Sequence, residues 1–391
     1  MIEIKRSQNF DPWLLGAVFI LIAVSILMVF STTAILSKEF YGDSTAMVKR
    51  HLFSVILGFL AFVAATKINP KVLKHIALPG LIITILMLAL VLSPSIGRTA
   101  GGAQRWVSLG FIKLQPGELA KIFMVIYFST YIESHWSRMH GLLEGALVPF
   151  SIIGLVGSLL LLEPDFGTTA VIGIVVLGQL FIAARLSHLV SFGLVGVMSA
   201  LILVLQSPYR MKRLLAFMDP FAAADTSGYQ LIQSLIAVGS GGVWGEGLGA
   251  GKQKLYYLPA AHTDFIFAVI SEELGLIGAL FVLSLFLVIL YRGIVIAKRL
   301  SYDPFLCSLT VGSTLMIVVP ALLNVGVVTG MLPTKGMVLP LVAYGSTAMI
   351  VHLGVMGLLF KLSAVPAAEQ EVVVKRVRYP MAKQKRHALY S

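Results

Sequence analysis

Charge is scarce in this 391-residue chain: charged residues are 12% of it, and acidic residues (18) are fewer than basic ones (30). An ordinary soluble domain carries about 25% charge. Hydrophobic residues make up 58% of the sequence, and mean hydropathy is +0.91. Such a chain cannot cover its own surface with polar groups, which excludes a soluble globular protein. Disorder is excluded as well, because disordered chains are polar and charge-rich. Cysteine is almost missing. Cys307 stands alone, which excludes an internal disulfide framework and a cysteine-based metal cluster. No P-loop or dinucleotide fingerprint occurs, so ATP hydrolysis and nicotinamide chemistry find no support. No His/Asp/Glu grouping has metal-site spacing. The first apolar run is too long for a cleavable signal peptide, and no small-residue cleavage site follows it.

The class that remains is an all-α polytopic membrane protein. A helix needs about 20 apolar residues to cross the hydrocarbon core. Ten spans emerge, at residues 12–31, 52–65, 76–92, 119–132, 147–162, 168–184, 189–206, 265–291, 305–328 and 338–360. Ten crossings put both termini on one side. With the termini cytoplasmic, inside segments hold 17 of the 30 basic residues and outside segments hold 12. That asymmetry predicts cytoplasmic termini. Residues 1–361 read as one ten-helix domain, and 362–391 as a basic cytoplasmic tail. The net charge of +12 is mostly strung between apolar runs. It suits anionic lipid headgroups rather than nucleic acid, for which no soluble docking domain is available.

Two outside segments are unusual. One, 93–117, is rich in Gly and Arg. The other, 207–263, joins the seventh and eighth spans through 57 residues, and a connection that long is usually functional. Within it YQLIQSLIAV, from Tyr229, is apolar enough to lie on the membrane surface as a short helix. GSGGVWGEGLGAG, from Gly239, has seven glycines in thirteen residues, which implies unusual backbone angles or close approach of the chain.

An ionisable residue at membrane depth is a candidate functional group. Glu118 and Lys121 open the fourth span behind Pro116 and share a helix face. They read either as a structural ion pair or as part of a polar cavity. Asp165 caps the sixth span on one reading and faces an outside cavity on another. Asp264 lies at the mouth of the eighth span beside His262 and Thr263. It reads as a helix-terminal acid or as a base for a substrate hydroxyl. Glu272 and Glu273 lie deeper in that span and read mainly as structural. Arg98 and Arg105 suit either headgroups or a bidentate phosphate site. Lys335 is an outside cation in a stiff Gly/Pro loop. Tyr344, Gly345 and Ser346 interrupt the tenth span, at a break that would line the cavity. His51, His75, His188 and His352 read as interfacial or satisfied.

The segments GRTAGGAQRWVSLGFIKLQPGELAKI, LLEPDFGTTAV, YQLIQSLIAVGSGGVWGEGLGAGKQKLYYLPAAHTDFIFAVISEELG and TGMLPTKGMVLPLVAYGSTAM, in this order, resemble the SEDS family (shape, elongation, division and sporulation). LLAFMDP, YLPAAHTDF and MLPTKG are more similar to its division-type branch than to its elongation-type branch. The chain departs at YGSTAM, where the family shows a second glycine and serines. The resemblance implies a ten-span peptidoglycan glycosyltransferase of the inner membrane, acting at the division septum on lipid II. It places the essential acid at Asp264. Arg98, Arg105 and Lys121 would then steady the pyrophosphate, Glu118 would hold Lys121, Asp165 would line the cavity, and His262 and Lys335 would contact substrate. It implies a class B penicillin-binding transpeptidase and other division proteins as partners. No cofactor is required by the sequence; a divalent ion, Mg or Mn, is chemically reasonable at a pyrophosphate. A lipid II flippase, a non-catalytic scaffold and the elongation-type polymerase are the competing readings.

Overall fold

The computed structural model describes residues 10–93, 97–100, 103–109, 112–334 and 336–366. Each of the ten apolar segments contains a helix. In chain order these are α1 (Pro12–Tyr41), α2 (Ala46–Lys67), α3 (Leu73–Val91), α4 (Pro116–Ser134), α5 (Val148–Leu162, entered through a π-turn at Leu143–Leu147), α6 (Phe166–Leu180) and α7 (Leu186–Leu205). After the shorter α8 (Pro208–Met218) and α9 (Tyr229–Ser240) come α10 (Ile266–Arg299), α11 (Pro304–Val328) and α12 (Ser346–Ser363). Eight of the ten are long and apolar enough to cross a membrane. The other two are α6, with 15 residues, and α4, which carries Glu118, Lys121 and Glu133.

Local chemistry fixes the helix starts. Asp11 accepts from the Trp13 and Leu14 amides ahead of α1, and Asp303 does the same for α11 with Phe305 and Leu306. Both are followed by a proline at the first helical position, where no donor is lost. α1 stops at Gly42, whose φ of 72° suits glycine at a helix C-terminus. The two ends of the bundle chain meet: Phe10 stacks on Phe360 at 4.6 Å, and the Asp11 amide donates to Ser363 Oγ at 3.1 Å. Arg292 Nε, near the end of α10, donates to Asp11 Oδ2 at 2.5 Å. The start of α1 and the ends of α10 and α12 therefore share one end of the bundle.

Small residues allow close helix packing. A Cβ on Gly357 of α12 would lie 2.3 Å from the Phe62 carbonyl oxygen of α2, and one on Gly58 of α2 would lie 2.6 Å from Leu353 Cδ1. In α10 and α11, Gly293 and Gly312 similarly face Thr314 and Gln179, so these small residues serve contacts inside the bundle.

The all-α membrane class holds, and the structure refines it at four places. First, a small sheet accompanies the helices: β1 (Gly97–Ala100), β2 (Ala103–Leu109) and β3 (Ile112–Leu114) form a three-stranded antiparallel sheet. The Gly101-Gly102 pair between two β-favouring runs is the hairpin signal in the sequence. Second, the tenth span begins at Ser346 rather than residue 338. Residues 336–345 enter it without helix, since Leu341 has φ 62°. Third, the long connection contains α8 and α9, and α9 does more than lie on a surface. Its Leu231, Ser234 and Ala237 are buried, and Ser234 Oγ donates to the Val328 carbonyl at 2.9 Å.

Fourth, α10 is interrupted at Gly275 (φ 67°, ψ −168°). The glycine-rich segment repairs the lost hydrogen bonds. The Leu276 amide donates to the Gly242 carbonyl at 2.9 Å, and the Glu246 amide donates to the Glu272 carbonyl at 2.9 Å. A Cβ at Gly275 would sit 2.3 Å from the Gly245 nitrogen, so glycine is required there on both counts. Glu272 Oε1 accepts from the Lys252 and Gln253 amides. Glu273 accepts from Lys254 Nζ at 2.5 Å, from Ser31 Oγ at 2.6 Å and from the Gly249 amide at 3.0 Å. Both carboxylates are buried and fasten the glycine-rich segment to α10, the structural role expected of them.

Candidate active site at the opposite end of the bundle

Asp264 lies just before α10, at the end opposite the meeting chain ends. It does not cap the helix; Phe265 occupies that position. The Asp264 backbone is held by α11, where Asn324 Nδ2 donates to the Asp264 and Met337 carbonyls, each at 2.6 Å. One buried amide thus joins the mouth of α10 to the segment leading into α12. Gly336 in that segment lies against the carboxylate: a Cβ there would come within 2.9 Å of Asp264 Oδ2. Burial raises the Asp264 carboxyl to about 6, the positive charges of Arg105 and Arg213 pull it down, and Asp165 pushes it up.

Those three residues come from different elements. Arg105 is on β2. Its Nε donates to the Glu163 carbonyl at 3.2 Å, and its Nη2 donates to the Pro164 carbonyl. Two of its five donors thereby bind the α5–α6 turn. Asp165 follows in that turn and caps α6. Its Oδ1 accepts from the Thr168 amide at 3.2 Å and its Oδ2 from Thr168 Oγ1 at 2.8 Å. The first turn of α4 abuts it, since a Cβ on Gly117 would lie 3.7 Å from Asp165 Oδ2. Arg213 projects from α8 and donates to the Thr334 carbonyl at 3.3 Å. Arg210, one turn earlier, covers the Phe166 ring at 4.2 Å, so α8 bridges α6 and the 331–337 segment.

Glu163 is buried, and among the described residues its Oε1 has no hydrogen-bond partner. Burial, then the neighbouring Asp165, raise its carboxyl to about 8 against the pull of Arg105. It is therefore a neutral acid at neutral pH.

The other candidates divide. His262 is partly buried. Its carbonyl accepts from the Tyr344 amide at 3.0 Å, its ring meets Tyr344 edge-on at 5.8 Å, and burial holds the imidazole below its usual range. Glu118 and Lys121 do pair, at 2.8 Å and deeply buried. His352 of α12 joins them, with Nε2 3.6 Å from Glu118 Oε2. Lys121 is thus bound to Glu118 inside the bundle, one turn below Gly117. The Arg98 backbone pairs with Trp106; its side chain lies outside the described residues, as does Lys335.

Sequence reasoning overlooked Arg213, Asn324, Glu163 and His352 as site residues. Three carried a readable signal: Asn324 and His352 are polar groups inside apolar runs, and Arg213 lies on a basic amphipathic stretch. Glu163 carried none beyond its place beside Asp165. Chemically, the arrangement joins one carboxylate poised near neutrality to two cations and a neutral acid. That suits taking a proton from a hydroxyl beside a group of developing negative charge. Among the described residues no three His, Cys, Asp or Glu side chains gather around a metal site. Mg²⁺ needs one or two carboxylates along with substrate phosphates; the carboxylates here are Asp264, which the base role occupies, and Asp165, which caps α6.

Comparison with known proteins extends this geometry. A family profile described as cell cycle protein, covering FtsW, RodA and SpoVE, matches residues 12–367. A Coxiella burnetii protein named "Probable peptidoglycan glycosyltransferase FtsW" is 38% identical over 91% of this chain and 97% of its own length. A Legionella pneumophila protein of the same name is 40% identical over 90% of each chain. Among solved structures, a chain of a peptidoglycan synthase complex that coordinates polymerization and crosslinking superposes with a TM-score of 0.74. It is 24% identical, covering 91% of this chain and 98% of that one. Thermus thermophilus RodA, a rod shape determining protein, gives 0.65 at 24% identity over 91% and 97%. These two show the shared fold. The multi-helical membrane architecture, the four motif segments and the profile match agree: the chain belongs to the FtsW/RodA/SpoVE family of cell cycle proteins, the SEDS family.

Proposed function

We propose that the protein is a peptidoglycan glycosyltransferase of the FtsW type, polymerising lipid II at the division septum. The observation that carries this reading is the Asp264 carboxylate, raised to about 6 and faced by Arg105 and Arg213, in a chain whose FtsW relatives match over nine-tenths of its length. The division-type assignment is supported by the contrast with RodA, at 24% identity.

In the mechanism, Asp264 takes the proton of the acceptor sugar hydroxyl. The freed oxygen pair forms the new bond to the anomeric carbon of the donor. The bond from that carbon to the diphosphate oxygen breaks, and the lipid diphosphate leaves with its electrons. Arg105 and Arg213 stabilise the leaving charge where it develops. Arg98 and Lys335 add cations by family resemblance. Asp165, which caps α6, keeps Asp264 basic. Glu118 holds Lys121, and His262 orders Tyr344 beside Asp264. A divalent cation carried in on the substrate diphosphate would supply further charge neutralisation; Asp264, as the base, is not free to hold it.

The orientation follows the basic residues: cytoplasmic termini, ten crossings and an outward-facing site, with 1–361 forming the bundle and 362–391 the tail. A class B penicillin-binding transpeptidase is the natural partner, alongside other division proteins. The test is glycan synthesis from lipid II by the purified protein with its transpeptidase. Polymer formation supports the reading. Lipid II movement across vesicles without polymer would replace it with a flippase.

A further inference from the structure

The glycine-rich segment has a surface that the reaction does not use. Trp244 is 82% exposed, and Val243 and Leu248 are more than half exposed. They do not stand apart from the bundle. The Leu276 and Ile277 amides donate to the Gly242 and Val243 carbonyls at 2.9 and 3.3 Å. Leu276, Ile277, Leu280, Phe281, Leu287 and Tyr291 are the exposed stripe of α10, the face this spanning helix turns to lipid. The apolar surface of the loop is therefore continuous with a lipid-facing one.

Depth follows from helix geometry. Arg292 is tied to Asp11 at the end where Lys298 and Arg299 also lie, which marks one membrane boundary. From residue 292 back to 276 is about 24 Å at about 1.5 Å per residue. The hydrocarbon core is about 30 Å thick, so Val243 and Trp244, beside residues 276 and 277, lie near the opposite boundary. Tyr291, 64% exposed, marks the first boundary on the same face. Trp and Tyr at both boundaries are how a membrane protein fixes its depth. The pairing of the 242 and 243 carbonyls also removes the cost of bringing this backbone to the hydrocarbon edge.

We propose that residues 243–248 are a membrane-interface anchor, with Trp244 and Leu248 seated in the lipid of the outer leaflet. The anchor sets the depth of the connection that Glu272, Glu273 and Lys254 bind to α10 and that ends at Asp264. It is independent of which reaction the site performs.

The test uses the full chain in lipid nanodiscs with Trp13→Phe, Trp106→Phe and Trp136→Phe, so that Trp244 alone emits. Its emission should be blue-shifted, quenched more by lipids brominated near the headgroup end than near the chain terminus, and little affected by iodide. Iodide quenching without lipid-borne quenching overturns the proposal. So does shielding from iodide only when the transpeptidase is bound, which would assign the face to that protein. If the triple replacement fails to fold, a spin label at Trp244→Cys in a Cys307→Ser background gives the same answer. Greater access to oxygen than to a water-soluble nickel relaxant supports the anchor; the reverse contradicts it.

Discussion

Asn324 holds Asp264 through the backbone: a side-chain amide in the apolar second half of α11 donates to the Asp264 carbonyl at 2.6 Å and to the Met337 carbonyl at the same distance. The candidate base therefore does not rest on its own helix, but on a third element that also fixes the segment opposite its carboxylate. Asn324→Leu keeps the branched side-chain shape and removes both donors. Misplacing a reacting group by about 1 Å costs roughly 100-fold in rate, so kcat should fall by about that factor while the KM for lipid II changes little. Steady-state glycan synthesis on monodisperse protein measures the split.

The pH profile follows from the charges around Asp264. A base must be ionised, so activity should rise with pH through about 6, where burial has raised this carboxyl. Arg105 and Arg213 pull that value down; Arg213→Gln should therefore move the acid limb to higher pH. Asp165 pushes it up; Asp165→Asn should move the limb to lower pH. Opposite displacements in kcat/KM profiles are the expected result.

Gly336→Ala tests the contact at the carboxylate. The added methyl would lie 2.9 Å from Asp264 Oδ2, closer than a carbon–oxygen contact permits. Since Gly336 has no positive φ, the backbone tolerates alanine and the side chain of Asp264 must move. Glycan synthesis should fall at least about tenfold, a barrier increase of about 1.4 kcal/mol. The melting temperature should shift by only a few degrees.

Glu163 should behave as a neutral group. Its folded-state carboxyl titrates near 8, against an ordinary 4.5. The folded protein therefore holds a proton that the unfolded chain releases, and its contribution to stability falls as pH rises from about 4.5 to about 8. Glu163→Gln imitates the protonated form. It should retain activity at neutral pH and flatten the dependence of melting temperature on pH across that window.

Much of the fold was legible because membrane burial writes long apolar runs, and ten of them became helices. The errors fall where backbone conformation depends on distant partners. Gly275 breaks α10 only because the 242–246 backbone arrives to replace its hydrogen bonds, a tertiary event with no local signature. Residues 338–345 are apolar enough for a span, yet Leu341 at φ 62° and the Asn324 hydrogen bond at Met337 hold them out of helix. In the site, Asp264 and Asp165 were readable as costly charges near helix ends and Arg105 as a candidate phosphate cation; Arg105 and Asp165 both act on the Asp264 carboxyl. Asn324 and Arg213 stood out as polar groups in the sequence, but their importance lies in what the fold sets beside them. Glu118 and Lys121 were paired correctly by spacing, but their third member, His352, comes from the last helix.

Asp264 is the proposed base of glycan polymerisation. Its most direct test is polymer formation from lipid II by the purified protein with its transpeptidase partner, wild type against Asp264→Asn, at matched expression and fold. Glycan strands are expected from the wild type and none above background from the variant. Undiminished polymer from Asp264→Asn would contradict that role.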